Sequence, residues 1–245
     1  GFSRKMDLNA LKKNLKTLKN IIISSFESRK ILKEFNPDIC VGTGGYVCGP
    51  FLREAYTMKI PFLIHDSNSF PGITTKLLAK KASRVLIINE DVKKYLPEKI
   101  NVTVTGTPVR EKILNLNVNT ANAKSALGLS ENPTILSFGG SLGAKAINKV
   151  IAEIITKKEN NFNFIHGFGR SGHDFLKTLE ENKIDTKNTS KYMIKEYINN
   201  MSECLAAADV VICRAGATTL SEIEASGKPS ILIPSPNVAE NHQYF

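Results

Sequence analysis

The segment Arg214-Ala215-Gly216-Ala217-Thr218-Thr219-Leu220-Ser221-Glu222 carries a chemical pattern that can be read residue by residue. An apolar run over 209–213 precedes it and a helical pattern follows, so it is a strand-to-helix turn. Its small residues leave room for a ligand over the helix start, where unpaired N–H groups and the helix dipole favour an anion. Thr218 and Thr219 add hydroxyls and N–H groups suited to a diphosphate. Glu222 falls one turn later on the face of Thr218, where a carboxylate can accept from both hydroxyls of a ribose. The alternative is a capping box between Thr219 and Glu222, which needs no ligand. Two more loops join a strand to a helix: Gly42-Thr43-Gly44-Gly45-Tyr46-Val47-Cys48-Gly49 and Gly139-Gly140-Ser141-Leu142-Gly143-Ala144. Such loops either bring backbone N–H groups to a phosphate or are tight turns that need glycine for close packing.

Other chemistries find less support. Gly167-Phe168-Gly169-Arg170-Ser171-Gly172 matches the G-x-G-x-x-G pattern of dinucleotide sites. That fingerprint needs an acidic residue about 20 positions on. The stretch 187–190 has none. The sequence holds no D-x-D triplet and no His, Cys and carboxylate set at metal-ligand spacing, so no metal and no cofactor is expected. Any group transfer here would rest on fixed dipoles and hydrogen bonds.

These residues need a frame. Leu8, Leu11, Leu15, Leu18 and Ile22 recur at helical spacing, Asp7 can cap that helix, and Asn36-Pro37 ends it near Phe35. Strands are expected over 38–41, 61–64, 84–88 and 101–105, with helices from about Gly49 and over 74–81. The rhythm then restarts, with strands over 134–138, 163–166, 192–195, 209–213 and 230–233 and helices over 145–157, 201–207 and 218–226. Alternating strands and helices mean mostly parallel sheets covered on both faces. Two such units, 1–107 and 108–245, meet near Gly106–Lys112. Ligands of these sheets lie beyond the C-terminal strand ends, so a cleft between the units is the default site. The chain does not start with Met and stops soon after a strand, so both units read as truncated.

Composition narrows the partners. Hydrophobic residues make up 42% and charged residues 23%, ordinary for a globular protein. No apolar run is long enough for a transmembrane helix, and no signal peptide is present at the start. None of the four cysteines forms a C-x-x-C pair, which suits reduced thiols in a cytoplasmic protein. Residues 1–110 hold 19 Lys and Arg against 9 Asp and Glu, whereas 111–245 hold 14 of each, so the net +10 lies in the first part. That points to an anionic partner. Nucleic acid is not expected, because interleaved aromatics and any nucleic-acid-binding motif are missing. With Leu8 to Ile22 as a buried seam, Lys12, Lys13, Lys16 and Lys19 lie off it, and Ile23 or Phe26 stays exposed. Lys80 and Lys81 can join that patch. An anionic bilayer is the expected partner; a solvated basic face with Ile21 and Ile23 packed inside is the alternative.

Taken together, the motifs resemble the MurG family of GT-B glycosyltransferases. Gly42 to Pro50 resembles its second glycine loop, and His65-Asp66-Ser67-Asn68-Ser69-Phe70-Pro71-Gly72 its H-E-Q-N-x-x-P-G segment. Thr105-Gly106-Thr107-Pro108-Val109-Arg110 is similar to T-G-N-P-V-R, and 139–144 to G-G-S-x-G-A. Arg214 to Glu222, Pro234-Ser235-Pro236 and His242-Gln243 resemble its donor region. The chain departs from the pattern at Asp66 for Glu, Ser67 for Gln, Thr75 for Asn and Leu142 for Gln.

The resemblance implies a GT-B fold of two Rossmann-like domains facing a cleft. It implies inverting, metal-independent transfer of N-acetylglucosamine from UDP-N-acetylglucosamine to lipid I, giving lipid II for peptidoglycan synthesis. It implies a peripheral position on the cytoplasmic face of the membrane. Carried over, Arg110 and Ser141 lie by the nucleotide phosphates and Ile198 borders the uracil. Ala217, Thr218 and Thr219 cradle the diphosphate, Glu222 binds the ribose, and His242 and Gln243 face the donor sugar. Gly44, Gly45, Tyr46 and Asn148 line the acceptor side or cleft, and His65, Asp66 and Asn68 are the candidates for catalysis. The family's first glycine loop is not in the sequence, so the chain by itself is expected to turn over little substrate. A related transferase for another lipid, or a non-catalytic UDP-sugar-binding subunit, remain the other readings.

Overall fold

The computed structural model describes residues 8–116, 119–157, 160–187 and 189–236, with side chains at 17 and from 19 onward. The chain divides into two compact α/β units, Gly1–Thr107 and Pro108–Phe245. The first contains α1 (Leu8–Phe35), β1 (Cys40–Gly42), α2 (Cys48–Thr57), β2 (Phe62–Asp66), α3 (Ile73–Leu78), β3 (Arg84–Ile87), a 3₁₀ turn at Glu90–Tyr95, and β4 (Val102–Val104). Its strands are all parallel, in the order β1-β2-β3-β4. Leu52, Ala55, Phe62, Ile64 and Leu78 pack one core, and Val85, Ile87 and Val92 a second.

The second unit contains α4 (Glu111–Leu114), α5 (Thr120–Ala126), β5 (Thr134–Phe138), α6 (Lys145–Ile155), β6 (Asn163–Gly167), α7 (His173–Glu181), β7 (Tyr192–Lys195), α8 (Met201–Ala207), β8 (Val210–Cys213), α9 (Ala217–Ser226) and β9 (Ser230–Leu232). Its parallel sheet has the order β7-β6-β5-β8-β9. β6 is buried along its whole length, as a central strand covered on both faces must be. Clusters on the two faces, one around Leu136, Ile165 and Val211 and one around Ile147, Ile151, Phe164 and Phe175, give the layers expected from the alternating pattern.

Most expected elements occur within one or two residues of their place. α4, α5, α7 and the 3₁₀ turn were not expected. β2 runs on to Asp66, which puts His65 and Asp66 at a strand end rather than in a loop.

The seam of α1 is corrected at Ile22, while the side chains of Leu8, Leu11, Leu15 and Leu18 lie outside those described. Of the five apolar residues expected to form it, Ile22 is the one whose side chain is described, and it is 52% exposed. Instead Ile21, Ser24 and Ser25 are half-buried and Ser28 and Leu32 buried, on the face that packs against α2. That face is turned by about one residue, roughly 100°, from Ile22. Leu32 anchors α1 in the core beside Leu52 and Ala55 of α2, so packing rather than the hydrophobic count sets the rotation. Ile22, Ile23 and Phe26 are left in solvent.

Near the C-terminal ends of β5 and β6, Ser137 Oγ lies 2.8 Å from His166 Nδ1, with both residues fully buried. Burial pushes the His166 pKa down to about 4 from 6.5. In the unfolded chain the ring protonates near 6.5, so between pH 6.5 and 4 the unfolded state takes a proton that the folded state refuses. This contribution is complete above about pH 6.5 and lost as pH falls through 4, a change of about 3 kcal/mol. Urea unfolding at pH 7 and pH 4.5 should reveal the slope, and His166→Gln should flatten it. An unaltered slope in that variant would assign the pH dependence to other groups.

Candidate active site

In the second unit the strand order reverses between β5 and β8. The chain runs outward from β5 to β7 on one side and from β8 to β9 on the other. At such a switch point the following loops part and leave a crevice beyond the strand ends. Phe138 and Cys213 are register partners, so loops 139–144 and 214–216 leave the sheet side by side.

Loop 139–144 is shaped by its neighbour, the G-x-G-x-x-G loop. A Cβ at Gly143 would lie 2.3 Å from the Phe168 carbonyl oxygen, and one at Gly169 2.2 Å from Gly143 N. Arg170 N donates to Ser141 O, and Ser171 donates to Leu142 O through its N–H and its hydroxyl. The second loop therefore needs its glycines to brace the first, and its dinucleotide-like spacing has a packing cause. Ser141 is exposed on the braced loop. Asn148 Nδ2 donates to Phe168 O at 2.9 Å and the residue is buried. Asn148 thereby fastens this loop pair to α6.

α9 starts at Ala217 after extended Gly216, with no side-chain cap. Its first N–H groups are therefore available to an anion, and Thr218 is exposed beside them. The capping-box alternative fails, because Thr219 lies inside the helix and Glu222 is bonded elsewhere. Arg110 donates to Glu222 Oε1 from Nε at 2.9 Å and from Nη2 at 2.7 Å. The Glu222 side chain is 10% exposed and that of Arg110 56%. α4 positions Arg110 by packing on α9, with Ile113 and Ile223 in one core cluster. Among the described residues Oε2 of Glu222 carries no hydrogen bond.

Ile198 has its side chain in the core, while its main-chain N–H and C=O have no partner among the described residues. An adjacent donor and acceptor of this kind can read the edge of a base; the side chain cannot. Arg214, directly after the end of β8, is a structural residue. Its Nη1 donates to the carbonyls of Ile233 and Pro234, bracing the segment after β9. His242 and Gln243 lie outside the described residues.

In the first unit, Gly44 and Gly45 have φ of 88° and 78°, conformations that favour glycine. Tyr46 next to them is exposed. Asp66 is only 2% exposed. It accepts from Asn68 N and Nδ2 on Oδ1, and from Gly72 N and Thr75 Oγ1 on Oδ2, the last at 2.6 Å. A carboxylate so fully engaged staples the loop 66–75 and is not free to take a proton from a substrate. The catalytic role expected for Asp66 is therefore corrected to a positioning one, and Asn68 is held by it. His65 differs. Its Nε2 is 3.1 Å from the Gly106 carbonyl oxygen. A carbonyl only accepts, so Nε2 carries the hydrogen and Nδ1 of the neutral ring is left as an acceptor.

Asp66 and Thr75 both depart from the resembled pattern, and they touch. Asp66→Glu alone should lower unfolding stability, and adding Thr75→Asn should recover most of the loss. A double-mutant cycle in urea should show coupling of about 1 kcal/mol or more. Additive effects would show that the two departures arose independently.

Comparisons with known proteins agree with this geometry. The glycosyltransferase family 28 N-terminal domain matches residues 4–87, and the family 28 C-terminal domain residues 134–245. A UDP-N-acetylglucosamine–N-acetylmuramyl-(pentapeptide) pyrophosphoryl-undecaprenol N-acetylglucosamine transferase from Acetivibrio thermocellus is 43% identical over 99% of this chain and 64% of its own length. The same-named protein from Desulforamulus reducens is 44% identical over 99% of this chain and 65% of its length. The chain thus spans just under two thirds of these relatives. Among solved structures, MurG of Acinetobacter baumannii aligns with a TM-score of 0.63 at 27% identity, over 91% of this chain and 60% of that one. A UDP-GlcNAc 2-epimerase from Neisseria meningitidis bound to UDP-GlcNAc shares the fold, with a TM-score of 0.62 at 14% identity, over 94% of this chain and 66% of that one. With both domain models matched in order and each on its own α/β unit, the chain belongs to glycosyltransferase family 28.

Proposed function

We propose that this chain is the greater part of a metal-independent, inverting transferase that moves N-acetylglucosamine from UDP-N-acetylglucosamine to lipid I, giving lipid II. The observation that carries the donor half is the pairing of an uncapped helix start at a strand-order reversal with a buried carboxylate one turn into that helix. The N-terminus of α9 meets the diphosphate, Ser141 and Arg110 flank it, and Glu222 takes the ribose hydroxyls. Ile198 reads the uracil through its main chain. In the transfer a muramyl hydroxyl attacks the anomeric carbon and UDP leaves, its charge met by the helix dipole and Arg110 rather than by a metal. On the acceptor side, Nδ1 of His65 is the acceptor available for the hydroxyl proton. The names of the family relatives supply the identity of the sugar and acceptor.

Calorimetric titration with UDP, UDP-N-acetylglucosamine and UDP-glucose checks the donor assignment. Glu222→Ala should weaken UDP binding by roughly 1.5–3 kcal/mol, the scale of hydrogen bonds to a charged group. Undiminished UDP affinity in that variant would remove Glu222 from the nucleotide site.

For the acceptor, whose carrier is a lipid, we infer docking of the first unit on the cytoplasmic face of an anionic membrane. The reading rests on the inverted α1, where serines face inward while Ile22, Ile23 and Phe26, the last 72% exposed, face out. Lys19, Arg29, Lys30 and Lys33 are exposed on the same helix. An apolar spot among cations is the form of a peripheral membrane surface, and each cation near an anionic leaflet contributes about 1 kcal/mol, screened by salt. Among the described residues no helix is long and apolar enough to cross a membrane. Vesicle sedimentation should show binding that requires anionic lipid and weakens with salt. Ile22→Glu with Phe26→Glu should abolish it at unchanged melting temperature, since both side chains are outside the core. Equal retention by neutral vesicles would overturn docking through this helix.

A further inference from the structure

Glu222 is the group assigned to the ribose, yet it is already engaged within the protein. Both hydrogen bonds from Arg110 converge on Oε1, at 2.9 and 2.7 Å. Oε2 carries no hydrogen bond among the described residues and is open to one ribose hydroxyl, but a second hydroxyl donating to Oε1 has to compete with the guanidinium. The two partners are unequal in freedom. Glu222 is fixed on a buried helix face, whereas more than half of the Arg110 side chain is in solvent. Arg110 stands at the start of α4 on extended backbone, so its side chain alone can move.

Somewhere for Arg110 to go is close by. Glu222 is five residues into α9, about 7.5 Å along the axis from the helix start. That start is where an anion would sit, and a guanidinium forms a two-pronged bond to phosphate as readily as to carboxylate. We propose that Arg110 is a specificity-determining residue that works by exchange: it guards Glu222 through their ion pair and releases it to the ribose only when the ligand brings a diphosphate for the guanidinium. This rests on the nucleoside-diphosphate reading above and deepens it. A nucleoside without phosphate must break the ion pair with nothing to offer in return, so the site discriminates against it. UDP exchanges one anionic partner of Arg110 for another, and the ribose hydroxyls replace the guanidinium as donors to Glu222. Product release runs in reverse, the ion pair re-forming as UDP departs.

The exchange makes opposite predictions for two ligands. In Arg110→Gln, UDP should bind about 10-fold more weakly, because its phosphates lose a charged partner. Uridine should bind about 3-fold more tightly than to the wild-type chain, because a half-exposed ion pair no longer competes. The gain should vanish for 2′,3′-dideoxyuridine, which has no hydroxyls for Glu222. Glu222→Gln should weaken UDP and uridine together. If Arg110 only orders Glu222, Arg110→Gln will weaken uridine or leave it unchanged, and the exchange is overturned. A measurement on the unmutated chain guards against misfolded variants. The ¹⁵Nε signal of Arg110 should shift on adding UDP and also on adding inorganic pyrophosphate; a signal unmoved by both overturns the exchange. Failure of the wild-type chain and both variants to bind UDP would instead overturn the donor reading itself, and the exchange with it.

Discussion

β5 and β8 are hydrogen-bonded neighbours although two strands and three helices separate them in sequence. The rest of the second unit follows from that pairing. It makes the strand order turn back, so the loops after β5 and β8 leave from the same level and diverge. The crevice receives one helix start, α9, and one braced glycine loop. Both present backbone N–H groups, the least sequence-dependent anion receptor a protein can build. The side chains then need only to finish the site, and they do so sparingly. Glu222 is held by α9 and its distance from the helix start is set by the helical rise. Arg110 comes from a different element, and α4 must pack on α9 for the two to meet.

Rigidity at this end of the sheet comes from close backbone packing and side-chain-to-backbone hydrogen bonds. Gly143 and Gly169 let two loop backbones approach more closely than a Cβ permits. Asn148, Arg170 and Ser171 then tie the pair together by hydrogen bonds. Arg214 performs the same service on the other side, toward the segment after β9. In the first unit Asp66 does so alone, with four bonds that fix the turn between β2 and α3. In each case a charged or polar residue that looks chemical in sequence is consumed in shaping backbone. His65, one residue before Asp66, spends Nε2 on a carbonyl, and among the described residues its Nδ1 has no hydrogen-bond partner.

α1 shows the same logic at a surface. A helix that turns serines inward and isoleucines outward leaves apolar area in water, which is unfavourable unless another phase or partner takes it up. Its lysines and arginines keep the exposed apolar residues from becoming a simple sticky patch, and they give the surface a preferred sign of partner.

Much of this was legible in the amino-acid sequence. Strand positions such as 134–138 and 192–195 follow from short apolar runs between turn residues, since central parallel strands are buried on both faces. The glycine loops and the Arg214–Glu222 segment follow from local spacing, and ordered motifs along the chain identified the family. What sequence could not decide were relations between distant residues. Nothing local pairs Arg110 with Glu222, 112 positions away. Nor does local spacing show that Gly167–Gly172 braces 139–144, that Asp66 has no lone pair left for chemistry, or which way α1 is rotated. Helical periodicity gives the stripe, but the partner helix chooses the face. Those outcomes depend on which groups compete for the same hydrogen bonds and the same buried volume, and only the folded chain brings the competitors together.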